Sequence, residues 1–286
     1  MALTINTNIA SLNAQRRLGA TTARLQTSYQ RLSSGLRIVR ASDDAAGLAI
    51  ADSLKADQRI ATVAIRNAND GVSLIAIADG ALSEISNVLT RMAELAEQSA
   101  NGVLSTSQRS ALASEFQALG SEIERIALTT SFNGLALLSG GQQVSLQIGF
   151  DSKTTSQISF SGIEGTLGSM GLAVQGNSRL IYSINDATTG AAQLAARSAL
   201  DAVRAAIGSL TANRGTLGAS ESRLNVTITN LQVARENFAA AESQIRDVDV
   251  ASEAAELTRL NILQQAGAAV LAQANQQPAL ALSLLG

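Results

Sequence analysis

The sequence contains no cysteine and no histidine. That excludes disulfides, thiolate nucleophiles and zinc sites of the usual kind, and it removes the commonest general acid/base near neutral pH. Proline is nearly absent: Pro278 is the only one, so almost nothing interrupts long helices. Aromatic residues make up 2% of the 286 positions, with no tryptophan, yet 46% of residues are hydrophobic. The apolar content is therefore mostly Ala, Leu, Ile and Val, which suits thin helix-on-helix packing better than a thick core. Charge of one sign is also missing, with 21 basic and 23 acidic residues and a net charge of −2. Nothing in that balance favours nucleic acid or an anionic membrane as a partner. No uninterrupted apolar run of about 18 residues occurs, so no membrane insertion is expected. The N-terminus has no basic region followed by an apolar run, and no cleaved secretory signal is expected.

What is present is periodicity. Leu18, Thr22, Leu25, Tyr29, Leu32 and Leu36 recur in steps of four and three, a coiled-coil seam. A second seam runs through Leu74, Ile77, Ala81, Ile85, Val88, Met92 and Leu95, with one extra step of four. A third runs through Leu112, Phe116, Leu119, Ile123 and Ile126. Between the last two, Asn101-Gly102 reads as a helix stop and Ser105 or Ser107 as a new N-cap. The longest pattern places Ala196, Val203, Leu210, Leu217, Leu224, Leu231, Phe238 and Ile245 seven apart. It predicts one helix of about 50 residues, about 75 Å long. Its companion positions include Arg214, Glu221, Arg235 and Glu242, which are placed either to pair with a neighbouring helix or to be solvated.

The middle of the chain switches period. Val144, Leu146, Ile148 and Phe150 alternate, a polar turn follows, and Ile158 and Phe160 resume the alternation, which predicts a β-hairpin. Glycines at 162, 165, 168 and 171 mark loops after it. The final segment shows Leu260, Leu263, Gly267, Val270 and Ala274 at helical spacing to about Gln276, where Pro278 is expected to stop the helix. The predicted class is mainly α: an elongated antiparallel helical coiled-coil bundle with paired N- and C-terminal helices and a small hairpin in mid-chain.

The stretch LSSGLRIVRASDDAAGLAIA, residues 32–51, contains the one adjacent carboxylate pair with a catalytic look, Asp43 and Asp44. Neighbouring residues on a helix point about 100° apart and seldom converge on a metal. The simpler reading is a connector. Gly35 closes one helix, Ser42 caps the next, and Asp43 and Asp44 occupy its first turn, where negative charge is favoured. Asp247 and Asp249 likewise precede a helix restart capped by Ser252. No cofactor and no catalytic or metal residue is expected. The terminal helices pose a different problem: each has an apolar seam and no core of its own. Burial against copies of the same chain is the usual resolution, and a contact between different faces generates a filament.

The chain resembles bacterial flagellin. The blocks INTNIASLNAQRRL, LSSGLRIVRASDDAAGLAIA, RNANDGVSLIAIADGALSEI, TSFNGLALL, QIRDVDVASEAAELTRLNILQQAGAAVLAQANQ and the terminal LSLL carry the likeness. The resemblance implies an inner domain and spoke from residues 1–41 with 247–286. It implies an outer core from residues 42–140 and 191–246, and a hairpin-and-loop region, 141–190, where many relatives carry large variable domains. Leu18, Leu25, Leu32, Leu260, Leu263 and Val270 would pack the inner domain and the polymer. Gly35, Ser42, Asp43 and Asp44 would form the spoke and helix cap. The implied partners are copies of itself in a helical filament, the flagellar export apparatus, an export chaperone, and the cap and hook-junction proteins. The implied location is the extracellular flagellum, reached without a cleaved signal. Host innate receptors would meet Arg91, Glu94, Leu95 and Glu115, and cytosolic sensors Leu282, Leu284 and Leu285. The same plan fits a hook–filament junction protein. Rivals of other classes are a metal enzyme using Asp43 and Asp44 and an intracellular coiled-coil scaffold.

Overall fold

The apolar periodicities fold as helices in a computed structural model, which describes residues 7–140, 143–160, 163–174 and 179–283, with side chains to Gln277. Gly162, Leu284 and Leu285 lie outside the described residues, as does the side chain of Leu282. Among the described residues the helices are α1 (Ile9–Ser34), α2 (Ala45–Ala100), α3 (Thr106–Thr129), α4 (Thr189–Arg246) and α5 (Val250–Ser283). Two antiparallel hairpins lie between α3 and α4: β1 (Ser131–Phe132) with β2 (Leu135–Ala136), and β3 (Val144–Gln147) with β4 (Gln157–Phe160). The fold is mainly α, as the periodicity predicts.

Packing divides the chain into two compact units, Met1–Gln58 with Glu236–Gly286, and Arg59–Arg235. The division falls inside α2 and α4. Within the first unit, Arg246 reaches Asp52 at 3.3 Å and Glu242 reaches Lys55 at 3.9 Å, so the start of α2 is held against the end of α4.

In the second unit the core is assembled from α2, α3, α4 and the intervening loops. Leu82, Ile85, Leu89, Met92 and Leu95 of α2 are fully buried with Phe116 and Ile123 of α3. Every seven-spaced residue from Ala196 to Leu231 on α4 is buried. One residue of the α2 seam departs from expectation. Ile77 is 42% exposed, and Ile75 and Ala78 take the inward positions instead. The buried stripe runs seven apart through Ile75, Leu82, Leu89 and Ala96, and its companion row through Ala78, Ile85 and Met92, so Ile77 lies one residue off the inward face. By length and composition alone α2 could cross a bilayer, which the search for an uninterrupted apolar run passed over. Core helices pass the same test, and the apolar stripe of α2 is packed in the core.

Polar contacts lock this core. Ser105 caps α3 in a capping box with Gln108. Arg109 is fully buried and closes the end of α2: its Nε donates to the Ser99 carbonyl at 3.1 Å and its Nη2 to the Asn101 carbonyl at 2.8 Å. Ser99 in turn donates its hydroxyl to the Ile184 carbonyl at 2.5 Å. The β1–β2 hairpin turns on Asn133 and Gly134, both at positive φ, 50° and 78°. Asn-Gly is the strongest short-range hairpin signal, and the periodicity reading did not use it.

Arg214 on α4 makes a two-pronged pair with Asp79 on α2, at 2.7 and 3.1 Å. The hydrogen bond from Arg214 holds the Asp79 carboxyl below its usual pKa. An unfolded aspartate titrates near pH 4. The contribution of this pair is therefore present above that pH and lost as pH falls through the lower, folded-state value. Both side chains are more than a third exposed, so the effect is modest. We expect Asp79→Asn to flatten the stability curve below about pH 4, as followed by helix circular dichroism. Equal pH dependence of parent and variant would remove Asp79 from the account.

Pro278 does not stop the last helix: α5 continues to Ser283. Proline has no N–H, so the Ala274 carbonyl lacks its helical partner four residues on. Asn8 supplies one from the other chain end, donating its Nδ2 at 2.7 Å.

Candidate functional site

The sequence points to the chain-end helices, and the first unit shows how they are built. Asn8 begins α1, its Oδ1 accepting the Ser11 N–H at 3.0 Å. Gly35 ends it at φ 72°, its N–H bonded to the Arg31 carbonyl at 2.8 Å. A β-bridge between Leu36 and Asp247 then ties the connector to the segment after α4. Arg37 N–H donates to the Arg246 carbonyl at 2.6 Å, and Val248 N–H to the Gly35 carbonyl at 3.0 Å. The Arg37 guanidinium adds a bond to the Ile245 carbonyl at 2.6 Å.

The carboxylate pair is engaged by backbone. Asp43 Oδ2 accepts the N–H groups of Arg40 at 3.0 Å and Val39 at 3.2 Å. The Arg40 bond is the main cause of its lowered pKa. Asp44 Oδ1 accepts the Gly47 N–H at 2.9 Å, and α2 starts at Ala45. The cap of α2 is therefore Asp44 and not Ser42. The physical reason is local: Asp43 folds back to close the turn from Val39, which moves the helix start on by two residues. The same correction applies at α5. Asp249, not Ser252, accepts the first N–H groups, from Ala251 at 2.9 Å and Ser252 at 3.2 Å. An ionised Asp is favoured over Ser at a helix N-terminus by the helix dipole. No group of three or more potential metal ligands occurs among the described residues.

Helices α1 and α5 pack along one seam. Leu25 and Leu260 are buried, at 7% and 3% exposure, and Leu18 and Leu32 are half-buried. A Cβ placed on Gly267 would lie 3.3 Å from Leu18 Cδ1, so glycine admits the close approach. Arg31 pairs with Glu253 at 3.9 Å. The other expected packing residues are not covered within the unit: Leu263 is 44% exposed and Val270 59%. Ile9, Leu12 and Ile262 are exposed as well. A groove of about 420 Å³ runs beside them, lined by Arg17, Leu18, Arg24, Leu260, Leu263 and Val270.

The second expected cluster lies on the other unit. Arg91 Nε and Nη2 donate to Glu115 at 3.0 and 2.9 Å, and Nη1 donates to Glu94 at 3.0 Å. All three side chains are exposed. The Glu115 hydrogen bond leads the rise in the Arg91 pKa. Leu95 does not belong to this surface. It is fully buried, because its side of α2 is the apolar stripe.

Paired terminal helices that leave apolar residues uncovered within their own unit define a helical protein with packed chain ends. Comparison with known proteins makes the class specific. The profile of the bacterial flagellin N-terminal helical region matches residues 5–143, and that of the flagellin C-terminal helical region matches residues 200–285. A flagellin of Halalkalibacterium halodurans is 44% identical over 98% of this chain and 99% of its own. One of Bacillus subtilis is 40% identical over the same shares. A solved Vibrio parahaemolyticus structure, assigned as a flagellar hook-associated protein, has a TM-score of 0.58 and covers 72% of this chain and 100% of that one. At 14% identity it shows the shared fold alone, and it does not favour the junction reading. The chain belongs to the bacterial flagellin family. It is a subunit of the flagellar filament.

Proposed function

We propose that the chain-end pair is where one subunit meets the next, and that this contact orders the inner wall of a swimming filament. The reading is carried by one observation: Leu263 and Val270 lie on paired helices yet stay exposed. Apolar side chains in a contiguous face are stabilised by about 25 cal/mol per Å² when covered. Family membership makes the covering partner a copy of the same chain. The backbone-engaged Asp43 and Asp44 then act as a turn and a cap, and the protein works as a structural subunit and not as an enzyme.

Membership of the family supports four further parts of the reading. The subunit leaves the cell through the flagellar export apparatus, accompanied by a chaperone. It is placed at the growing end beneath cap proteins, and the filament joins the hook through junction proteins. Arg91, Glu94 and Glu115 are exposed residues that an innate receptor can reach, whereas Leu95 is not. The residues expected to meet cytosolic sensors, Leu282, Leu284 and Leu285, fall beyond the described side chains.

The test is a truncation. A chain lacking residues 247–286 is expected to stay soluble and fail to extend seeds of full-length filament, as seen by electron microscopy. Long filaments from the truncated chain would overturn the role given to α1 and α5.

A further inference from the structure

Pro278 and Asn8 are 270 positions apart in the sequence, and a single side-chain amide links their roles. The proline leaves the Ala274 carbonyl without its helical donor. That carbonyl belongs to a residue only 7% exposed, where water offers little replacement. Asn8 Nδ2 donates to it at 2.7 Å, while Oδ1 of the same amide caps α1 through Ser11 N–H at 3.0 Å. Three residues further along α1 and one further along α5, Ser11 Oγ donates to Asn275 Oδ1 at 2.7 Å, and Ser11 is also 7% exposed. Both bonds are directional and both are short. A slip of one residue between α1 and α5 would put a carbonyl that already has its helical partner opposite Asn8.

We propose that Asn8 is a positioning residue. It clasps the gap that Pro278 opens in α5, and so sets the register of the two chain ends and makes them order together. The proline becomes part of the specificity device. At Ala274 α5 presents an acceptor that its own helix cannot fill, and the N-cap amide of α1 fills it. The capping half of Asn8 is available to an isolated α1. The donating half exists only when α5 is docked, so the start of α1 and the end of α5 gain order in one step. This goes beyond the apolar face proposed above, because it concerns how the pair is aligned before or while that face is covered.

The experiment is a double-mutant cycle in the full chain. Asn8→Ser keeps an N-cap oxygen and removes the reaching donor. Pro278→Ala restores an N–H to the Ala274 carbonyl. The readout is the lowest concentration at which filament seeds are extended. Asn8→Ser is expected to raise it about 5–20-fold in the parent chain, the scale of one unmet buried acceptor. In the Pro278→Ala background the same change is expected to raise it less than about 2-fold, since the acceptor is then satisfied within the helix. An equal effect in both backgrounds, or none in the parent, overturns the clasp.

Amide exchange of Ser11–Leu25 and Leu260–Ala274 in the soluble full chain supplies a second readout of the same cycle. It separates failure of the clasp from failure of the assembly reading. A parent chain that does not extend seeds yet shows the predicted coupling in exchange supports the clasp and refutes the assembly face. Uncoupled exchange with normal seed extension does the reverse.

Discussion

Replacing Arg109 by methionine is expected to destabilise the unit formed by residues 59–235 by about 2–4 kcal/mol. The side chain is fully buried, and its guanidinium donates to the carbonyls of Ser99 and Asn101, where α2 ends. Four carbonyls at a helix C-terminus lack helical partners, and here that of Ser99, with that of Asn101 just past the helix, takes its donor from Arg109. Methionine keeps most of the aliphatic stem, so the packing loss is small. What is lost is two charge-assisted bonds and a positive charge at the negative end of a helix. Against this, removing a buried cation relieves its own desolvation, which is why the expected figure stays below a simple sum. At about 2–4 °C per kcal/mol for a unit of this size, the midpoint should fall by roughly 5–15 °C, read by thermal circular dichroism. Arg109→Lys, with one compact ammonium, should recover part of the loss. A shift under about 1 °C for the methionine variant would mean that the α2 terminus is held by other contacts.

The second expected result concerns assembly and not folding. Leu263→Asp combined with Val270→Asp should leave the subunit as stable as its parent and abolish filament growth. Both residues are exposed in the single chain, at 44% and 59%, and surface substitutions usually change stability by less than about 0.5 kcal/mol. In a covered apolar contact, each aspartate must instead shed its water without a partner, at a cost of several kcal/mol. A penalty of that size per subunit raises the concentration needed for growth by at least about a thousandfold. Helix circular dichroism should match the parent, while electron microscopy and sedimentation should show no filaments. Leu260→Asp is the contrasting control. That leucine is 3% exposed within its own unit, so its replacement should disorder the chain ends themselves. Filaments of normal length from the double variant would place the subunit contact elsewhere.

The two variants separate what holds a unit together from what joins subunits, and the sequence reveals these unequally. Seven-residue spacing placed Ala196 to Leu231 on the buried face of α4, and the structure buries each of them. Leu74 and Leu95 were legible in the same way, but Ile77 was not, because the row that packs inward falls one residue later, at Ala78, Ile85 and Met92. The α3 cap at Ser105 was visible from residue type and position. At the starts of α2 and α5 a serine and an aspartate competed within a few residues. Residue type alone does not separate them, and the folded turn and the helix dipole favoured Asp44 and Asp249. Arg109 left no periodic signal at all. A lone arginine in a polar helix start reads as solvated until the α2 terminus is brought over it.

By itself the sequence determined the class: long helices, a mid-chain β element, chain ends that pair, and membership of the flagellin family. These follow from local rules, since period, glycine and proline placement and cap chemistry act over a few residues. Only the tertiary structure decided which apolar residues are covered within a unit and which are left outside, where Arg109 finds its acceptors, and why Pro278 does not end α5. Each of those outcomes depends on contacts that no local rule of period or cap chemistry prints in the sequence. A buried carbonyl needs a donor whatever its source, and only the folded chain shows that Asn8 is the one in reach.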